Sequence, residues 1–208
     1  MDIDHAAAPN HHAHHRAFTG VFGIVGALSM IRGREPDARL AAELVELQPT
    51  DTVVDIGCGP GSAVRYAASK GATATGVDPA GIMLRTARLL THDNKVKYRE
   101  GKAESLPVPD ESASVAWSIA TVHHWHDVDE GLREVQRVLQ PGGRFVAIEK
   151  RTMPDAHGLA SHGWSDAQAE VFATKLRDAG FVDVRVERDK QGRHIAMCVV
   201  AIKPSGAS

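Results

Sequence analysis

The sequence predicts a doubly wound α/β domain with a mostly parallel sheet of seven strands and an antiparallel hairpin at its C-terminal end. Three observations support this prediction. Short apolar runs alternate with helical segments along most of the 208 residues, which is the pattern of a parallel sheet covered by helices. A glycine-rich turn follows the first apolar run. The last two strands are joined by a turn too short for a parallel crossover, which needs a dozen or more residues.

The first regular element is a helix that begins near Pro36. Proline suits the first turn of a helix, because its missing N–H is not needed there. Leu40, Leu44 and Leu47 then repeat at intervals of four and three residues, as on one face of a helix. The Gln-Pro-Thr stretch at 48–50 ends this helix.

The elements that follow alternate between strands and helices. Strands are predicted where short apolar runs lie between turn residues, and helices where apolar residues recur every three or four positions. The predicted strands are residues 52–56, 73–77, 96–99, 114–120, 144–149, 182–187 and 195–202. The predicted helices are residues 62–70, 82–90, 128–139 and 166–179. A Pro-Gly-Gly turn at 141–143 separates the third of these helices from the fifth strand, and a polar turn at 189–192 joins the last two strands.

Composition and charge restrict the classes of function. The chain has 24 Lys and Arg against 26 Asp and Glu, so no excess of basic charge suggests a nucleic-acid partner. Its two cysteines exclude a disulfide-rich scaffold. The first residues lack the basic region of a secretory signal, and the longest apolar stretch, 18–31, is shorter than the roughly 20 residues of a membrane-spanning helix. These features predict a cytoplasmic protein without a membrane span.

Three segments are predicted along the chain: a histidine-rich arm and apolar cap or lid at 1–34, a ligand-binding domain at 35–203, and a tail at 204–208. Four of the twelve histidines fall within residues 11–15. Clustered imidazoles suit zinc or nickel, but no carboxylate or cysteine in the arm completes a rigid site. We therefore expect a mobile polar arm and predict no metal site. The apolar stretch at 18–31 predicts a lid over the site, a core segment or a homodimer surface.

The glycine-rich turn after the first strand predicts a nucleotide-binding loop. Gly57, Gly59 and Gly61 occupy alternate positions shortly after Asp55, so the backbone can turn sharply and approach a ligand without a clash from Cβ atoms. The amides of such a turn and the N-terminus of the next helix form an anion site. In open α/β sheets, ligands bind at the carboxyl ends of the strands, where this loop lies.

An acid at the end of the second strand supports the same interpretation. Asp78 lies 21 positions beyond Gly57, where a carboxylate can accept hydrogen bonds from both ribose hydroxyls of a nucleoside. Taken alone, the glycine turn could be a tight connection and Asp78 could be a helix cap. Together they predict a nucleoside cofactor. A dinucleotide is disfavoured, because Ser62 stands where the third glycine of that fingerprint is needed.

The run at 53–61, Val-Val-Asp-Ile-Gly-Cys-Gly-Pro-Gly, resembles the first motif of class I S-adenosylmethionine-dependent methyltransferases. The resemblance covers residues 38–203 and is similar to the small-molecule type 11 group, which includes quinone-biosynthesis methyltransferases. It implies a Rossmann-like fold, S-adenosyl-L-methionine as cofactor, and methyl transfer to the oxygen or carbon of a small, partly apolar acceptor. The residues that it assigns to the cofactor are Asp55, Gly57, Gly59, Gly61, Asp78, Met83, Ala103, Glu104 and Ile119.

A histidine-rich segment after the fourth strand contains the predicted catalytic residues. Residues 121–127 read Thr-Val-His-His-Trp-His-Asp and leave the sheet at the same edge as the glycine turn. Alignment of donor and acceptor accounts for much of the acceleration of such transfers, and a base is needed only when the acceptor must lose a proton. Histidine suits that task, so His124, followed by His123, is the predicted base or acceptor-positioning residue. Glu149 is a weaker alternative, and structural packing of the histidines is the competing interpretation.

Two other functions share these features. A nicotinamide-dependent oxidoreductase uses a similar sheet, and Tyr98 and Lys102 have the spacing of the Tyr/Lys pair of short-chain dehydrogenases. That pair belongs on a helix after the fourth strand, however, whereas these residues lie at the third strand. A module that binds S-adenosylmethionine without transferring its methyl group fits the cofactor residues equally well.

Overall fold

The computed structural model describes residues 8–10, 35–153, 161–191 and 194–206. Its strands are β1 (Thr52–Ile56), β2 (Thr73–Asp78), β3 (Val96–Glu100), β4 (Ala113–Ile119), β5 (Leu139–Lys150), β6 (Val182–Gln191) and β7 (His194–Ile202). Its helices are α1 (Glu35–Leu44), α2 (Ser62–Ser69), α3 (Gly81–Leu89), α4 (Val128–Val138) and α5 (Asp166–Asp178), with a short 3-10 turn at Val122–His124. The predicted histidine-rich stretch at 11–15 and the apolar cap or lid at 18–31 lie outside the described residues.

The strands form one sheet in the order β3-β2-β1-β4-β5-β7-β6. β1 to β5 are parallel to one another, whereas β7 pairs antiparallel with both β5 and β6. The predicted fold class, a Rossmann-like sheet with a C-terminal antiparallel hairpin, is therefore confirmed. The strand order reverses between β1 and β4, so the loops that follow these two strands leave the sheet side by side. Ligands of open α/β sheets bind at this switch point.

Helices cover both faces of the sheet. On one face, buried side chains of α4 and α5, such as Leu132 and Phe172, pack against Phe145 of β5. On the other face, α1, α2 and α3 pack against the central strands. Val53 and Val54 of β1 lie in opposite cores, since successive side chains of a strand point to opposite faces. Burial on both sides accounts for the apolar residues at successive positions of β1.

β5 begins earlier than predicted. The Pro-Gly-Gly stretch at 141–143 lies inside this strand, because Leu139 pairs with Ala113 before an irregular register shift. The amide of Gly142 donates to the carbonyl of Lys203, and the Lys203 amide donates back to Gly143. A sequence typical of a turn is thus part of the sheet, since a second chain segment lies close enough to pair with it.

The final hairpin is longer than predicted. β6 continues to Gln191, because Asp189 and Lys190 extend the ladder with Ala196 and Ile195 of β7. β6 lies at the edge of the sheet, where polar and charged side chains are well tolerated. The last residues of β6, from Asp189 to Gln191, can therefore be polar, as turn residues usually are, and still belong to the strand. No helix in the described ranges is long and apolar enough to cross a membrane.

Candidate active site

The loops at the carboxyl ends of β1, β2 and β4 line a cavity of about 590 Å³. This volume lies within the roughly 300–1,000 Å³ of small-molecule sites. Every predicted cofactor residue except Gly61 lines the cavity, and so do His123 and His124. The structure therefore brings the predicted cofactor and catalytic residues into one space, as expected for residues that follow neighbouring parallel strands.

The glycine loop combines a tight contact with an open approach. Gly57 has φ 77°, and a Cβ there would lie 2.5 Å from the side chain of Thr121, so a larger residue does not fit. At Gly59, nothing lies within 4 Å of the position that a Cβ would take, so a ligand can approach this backbone closely. Gly61 is the N-cap residue of α2 and has φ 80°. A Cβ at Gly61 would collide with the side chain of Tyr98, and Gly61 does not line the cavity.

Asp78 serves as a structural anchor and still offers acceptor positions. Its Oδ2 accepts a hydrogen bond from the Gly59 amide at 2.9 Å, and its Oδ1 accepts one from the Ala80 amide at 2.8 Å. Burial raises the pKa of this carboxyl, whereas the two amides lower it. Each carboxylate oxygen has a second lone pair, so Asp78 can also accept hydroxyl donors from the cavity that it lines.

Tyr98, which packs behind the glycine loop, and Cys58, which lies within the loop, are both held neutral. The phenol of Tyr98 lies 2.9 Å from the hydroxyl of Thr91, and burial raises its pKa. Burial also raises the pKa of the Cys58 thiol well above its ordinary value. Lys102 lines the cavity but Tyr98 does not, so the Tyr/Lys spacing in the sequence does not form the acid pair of a dehydrogenase.

Thr121 joins the histidine segment to the glycine loop. Its hydroxyl donates to the carbonyl of Ile56 at 2.9 Å, and the hydroxyl of Ser118 lies 2.6 Å from it and donates in turn. Because Ile56 directly precedes Gly57, these contacts fix the end of β1 against the start of the loop after β4. The cofactor loop and the histidines are therefore parts of one connected structure.

His123 is paired with a buried carboxylate. Its Nδ1 lies 2.8 Å from Oε2 of Glu149, and the two residues are 3% and 1% exposed. Since an ionised carboxylate only accepts hydrogen bonds, Nδ1 is the donor of this pair when Glu149 is ionised. Glu149 was predicted as a weaker alternative base, but it lies outside the cavity lining. It acts as a positioning residue for His123.

A third histidine, His162, which is not among the residues predicted from the sequence, completes a cluster. The ring centroid of His162 lies 5.3 Å from that of His123 and 5.5 Å from that of His124, and the latter two are 4.1 Å apart. A ring nitrogen of each residue lies within 4.8 Å of the others. The available signal was topological, because segments that follow the adjacent strands β4 and β5 must leave the sheet at the same edge.

The backbone around His162 is fixed by the end of β5. The Trp164 amide donates to the Lys150 carbonyl at 2.9 Å, and the Thr152 amide donates to the Trp164 carbonyl at 2.8 Å. Gly163 between them has φ 136°, and a Cβ there would overlap the Lys150 carbonyl oxygen. Glycine is therefore required at this position for His162 to reach the cluster.

Glu104 and Asn10 hold the far end of the histidine segment. Oε1 of Glu104 accepts from the amides of His126 and Asp127 at 2.6 and 3.1 Å. The Asn10 side chain donates to the carbonyl of Trp125 at 3.0 Å. Glu104 was predicted to meet the cofactor, and it lines the cavity, but one of its oxygens is engaged in fixing this loop. The described part of the N-terminal arm thus contacts the site.

The sequence is similar to those of known methyltransferases. Residues 54–147 match the family described as a methyltransferase domain, of type 11. The chain is 32% identical over 139 residues to malonyl-(acyl-carrier protein) O-methyltransferase of Pseudescherichia vulneris, covering 66% of this chain and 53% of that protein. It is also 32% identical over 144 residues to 27-O-demethylrifamycin SV methyltransferase of Amycolatopsis mediterranei, covering 67% and 49%. The chain thus spans about half the length of these curated relatives.

A solved structure shares the fold. An S-adenosylmethionine-dependent methyltransferase from Aquifex aeolicus superposes with a TM-score of 0.70 at 19% identity, covering 86% of this chain and 97% of that one. At that identity the likeness concerns the fold, and the sequence relatives carry the assignment. Residues 54–147 therefore form a methyltransferase domain of the type 11 group, on the fold of S-adenosylmethionine-dependent methyltransferases, and its cofactor is S-adenosylmethionine.

Proposed function

We propose that the protein transfers a methyl group from S-adenosylmethionine to the oxygen or carbon of a small, partly apolar acceptor. One observation carries this proposal: the glycine loop, Asp78 and the histidines line the same mostly apolar cavity of about 590 Å³. A cavity of this kind, with a few polar groups that converge on it, suits a small organic molecule. Donor and acceptor sites therefore adjoin one another.

The residues of the cofactor side fit S-adenosylmethionine. The open approach at Gly59 suits close contact with backbone, and the remaining lone pairs of Asp78 suit two ribose hydroxyls. Met83 and Ile119 line the cavity with apolar side chains and would pack on the adenine. When bound, the cofactor presents a methyl group activated by the positive charge on its sulfur. The protein's task is then chiefly to align the acceptor with that group.

His124 and His123 are the residues that we propose to act on the acceptor. Glu149 holds His123 in one orientation through the contact at Nδ1. His124 is half-buried, lines the cavity and stacks beside His123. Their nitrogens can bind the acceptor's reacting group and fix its orientation. Thr121 ties this segment to the glycine loop, so acceptor and cofactor positions are set relative to each other.

Transfer of label tests the proposed reaction. Purified protein would be incubated with S-adenosylmethionine carrying a labelled methyl group and with a panel of phenols, hydroxyquinones and acidic carbon compounds. The proposal predicts labelled product with at least one of these classes. If the donor binds but no class accepts the label, the protein is a non-catalytic S-adenosylmethionine-binding module. Stabilisation by NAD or NADP alone would favour the oxidoreductase instead.

A further inference from the structure

We propose that His123, His124 and His162 form a binding site for one divalent transition-metal ion of the zinc type. This inference goes beyond the proposed methyl transfer, which is argued above without a metal ion. It differs from the prediction from sequence that the chain has no metal site. The three imidazoles come from two segments, the loop after β4 and the turn before α5, and all three line the cavity.

The arrangement of nitrogens supports an ion. One ring nitrogen of each histidine lies within 4.8 Å of the other two. Zinc bonds histidine nitrogen at about 2.0–2.1 Å in tetrahedral geometry, which places ligand nitrogens about 3.4 Å apart. The nitrogens must therefore move closer together, from within 4.8 Å to about 3.4 Å. Small rotations of the His124 and His162 side chains allow this, because both are only half-buried. Neutral imidazole is a preferred ligand of zinc, copper, nickel and iron.

Glu149 gives the cluster the second shell that metal sites require. A histidine that ligates a metal usually donates its other N–H to a carboxylate, which fixes the ring and strengthens the ligand. Nδ1 of His123 lies 2.8 Å from Oε2 of Glu149, so Nε2 is the atom of this ring that we propose as the ligand. Glu149 is 1% exposed in the sheet. A cation bound through His123 would be attracted by this buried carboxylate.

The backbone around the cluster is preorganised. His162 is followed by Gly163, which only glycine can occupy against the Lys150 carbonyl. On the other side, Thr121 fixes the start of the histidine segment to β1, and Glu104 fixes its end. Ligands held by such contacts lose little freedom when an ion binds, which favours affinity.

Three protein ligands leave a coordination position open, as in catalytic zinc sites. Since all three histidines line the cavity, that position is accessible to a molecule bound there. An acceptor with an oxygen donor atom, such as a phenol or an enol, has the matching chemistry. This consequence for the acceptor rests on the proposed function, whereas binding of the ion does not.

The test is a titration with Co²⁺, whose absorption reports its ligands, together with the zinc content of the dialysed protein. Because the histidines at 11–15 can bind metal themselves, the full-length chain would carry alanine at positions 11, 12, 14 and 15. We expect one ion per chain in this background. His124→Ala and His162→Ala should each weaken binding by more than about 100-fold, and Glu149→Gln by about 10–100-fold. His92→Ala, at an exposed histidine outside the cavity, is the matched control and should bind as the background does.

Thermal unfolding and circular dichroism would establish that each variant is folded. The proposal is overturned if the protein with alanine at positions 11, 12, 14 and 15 binds no Co²⁺. Any Co²⁺ bound by the unmodified chain would then be bound by the arm. The proposal is also overturned if folded His162→Ala binds as tightly as the background, in which case the histidines act on the acceptor directly. Titration of the same samples with S-adenosylhomocysteine separates the two proposals, because cofactor binding without ion binding contradicts only the metal site.

Discussion

Nδ1 of His123 lies 2.8 Å from Oε2 of Glu149, within hydrogen-bond distance, and both side chains are buried. The contact joins the loop after β4 to the end of the adjacent strand β5. It determines which nitrogen of His123 can reach the cavity. A histidine in a surface loop would be free to rotate, whereas this one has a single orientation set by the sheet.

Replacing Glu149 should destabilise the protein, and more so when the new side chain cannot accept a hydrogen bond from His123. Glu149→Ala leaves the buried N–H of His123 without its acceptor, which should lower the free energy of unfolding by about 2–3 kcal/mol. Glu149→Gln keeps an acceptor oxygen and should cost about 1 kcal/mol. Urea unfolding measures both, with Glu170→Ala as an exposed control on α5. A Glu149→Ala variant as stable as this control would show that the contact contributes little.

Gly163→Ala should displace the turn that carries His162. The added Cβ is strained at φ 136° and overlaps the Lys150 carbonyl oxygen, so we expect a loss of about 2–3 kcal/mol in unfolding free energy. Gly180→Ala is the matched control, because its φ is also positive, at 87°, but the nearest atom is 3.9 Å away. That variant should lose about 1 kcal/mol from backbone strain alone. Equal losses would mean that the carbonyl contact is unimportant.

The pair of Glu134 and Arg137 should make stability depend on pH in the acid range. The Arg137 guanidinium holds the pKa of the Glu134 carboxyl below its ordinary value, although burial opposes this, and Oε2 of Glu134 also accepts from the Leu106 amide at 2.6 Å. A lowered pKa in the folded state stabilises the protein above the unfolded pKa of about 4.3. That stability is lost as the pH falls through the folded value.

Glu134→Gln should therefore reduce the unfolding free energy at pH 7 by about 1–2 kcal/mol. The difference from the unmodified protein should shrink as the pH falls below about 4. Urea unfolding at a series of pH values measures it, and the exposed Glu170→Gln should differ little at any pH. A difference that stays constant from neutral to acid pH would indicate lost packing instead of lost charge.

His124→Ala should reduce turnover and leave cofactor affinity nearly unchanged. The side chain lines the acceptor part of the cavity in our proposal, and misplacing the acceptor by about 1 Å can cost about 100-fold in rate. Steady-state kinetics with any accepted substrate and calorimetry with S-adenosylhomocysteine measure the two quantities. His92→Ala should change neither. Parallel losses of turnover and cofactor affinity would show that His124 is a packing residue.

The sequence was sufficient for features that depend on local pattern. The apolar residues of β1, the alternating glycines and the spacing to Asp78 are short-range signals, and they predict the glycine loop that the structure shows at the switch point. The edge strand β6 was shortened in the prediction because Asp189 and Lys190 resemble turn residues, and only pairing with β7 makes them a strand.

Features that depend on distant segments could not be predicted in the same way. His123 and Glu149 are 26 positions apart, and their pairing needs the register of β4 against β5. His162 joins the cluster because Gly163 and Trp164 dock on the end of β5. Glu104 likewise bonds two amides across 22 and 23 positions. In each case the residue is visible in the sequence, but the residue that it contacts depends on the tertiary packing of distant segments.

Calorimetric titration of the purified, folded chain with S-adenosylhomocysteine tests the cofactor site most directly. We predict one molecule bound per chain, no binding of NAD, and an affinity at least about tenfold weaker (about 1.4 kcal/mol) for Asp78→Ala. The exposed Asp178→Ala should bind as the unmodified protein does. Folded protein that takes up no S-adenosylhomocysteine, or that binds NAD in its place, would contradict the assignment of this cavity.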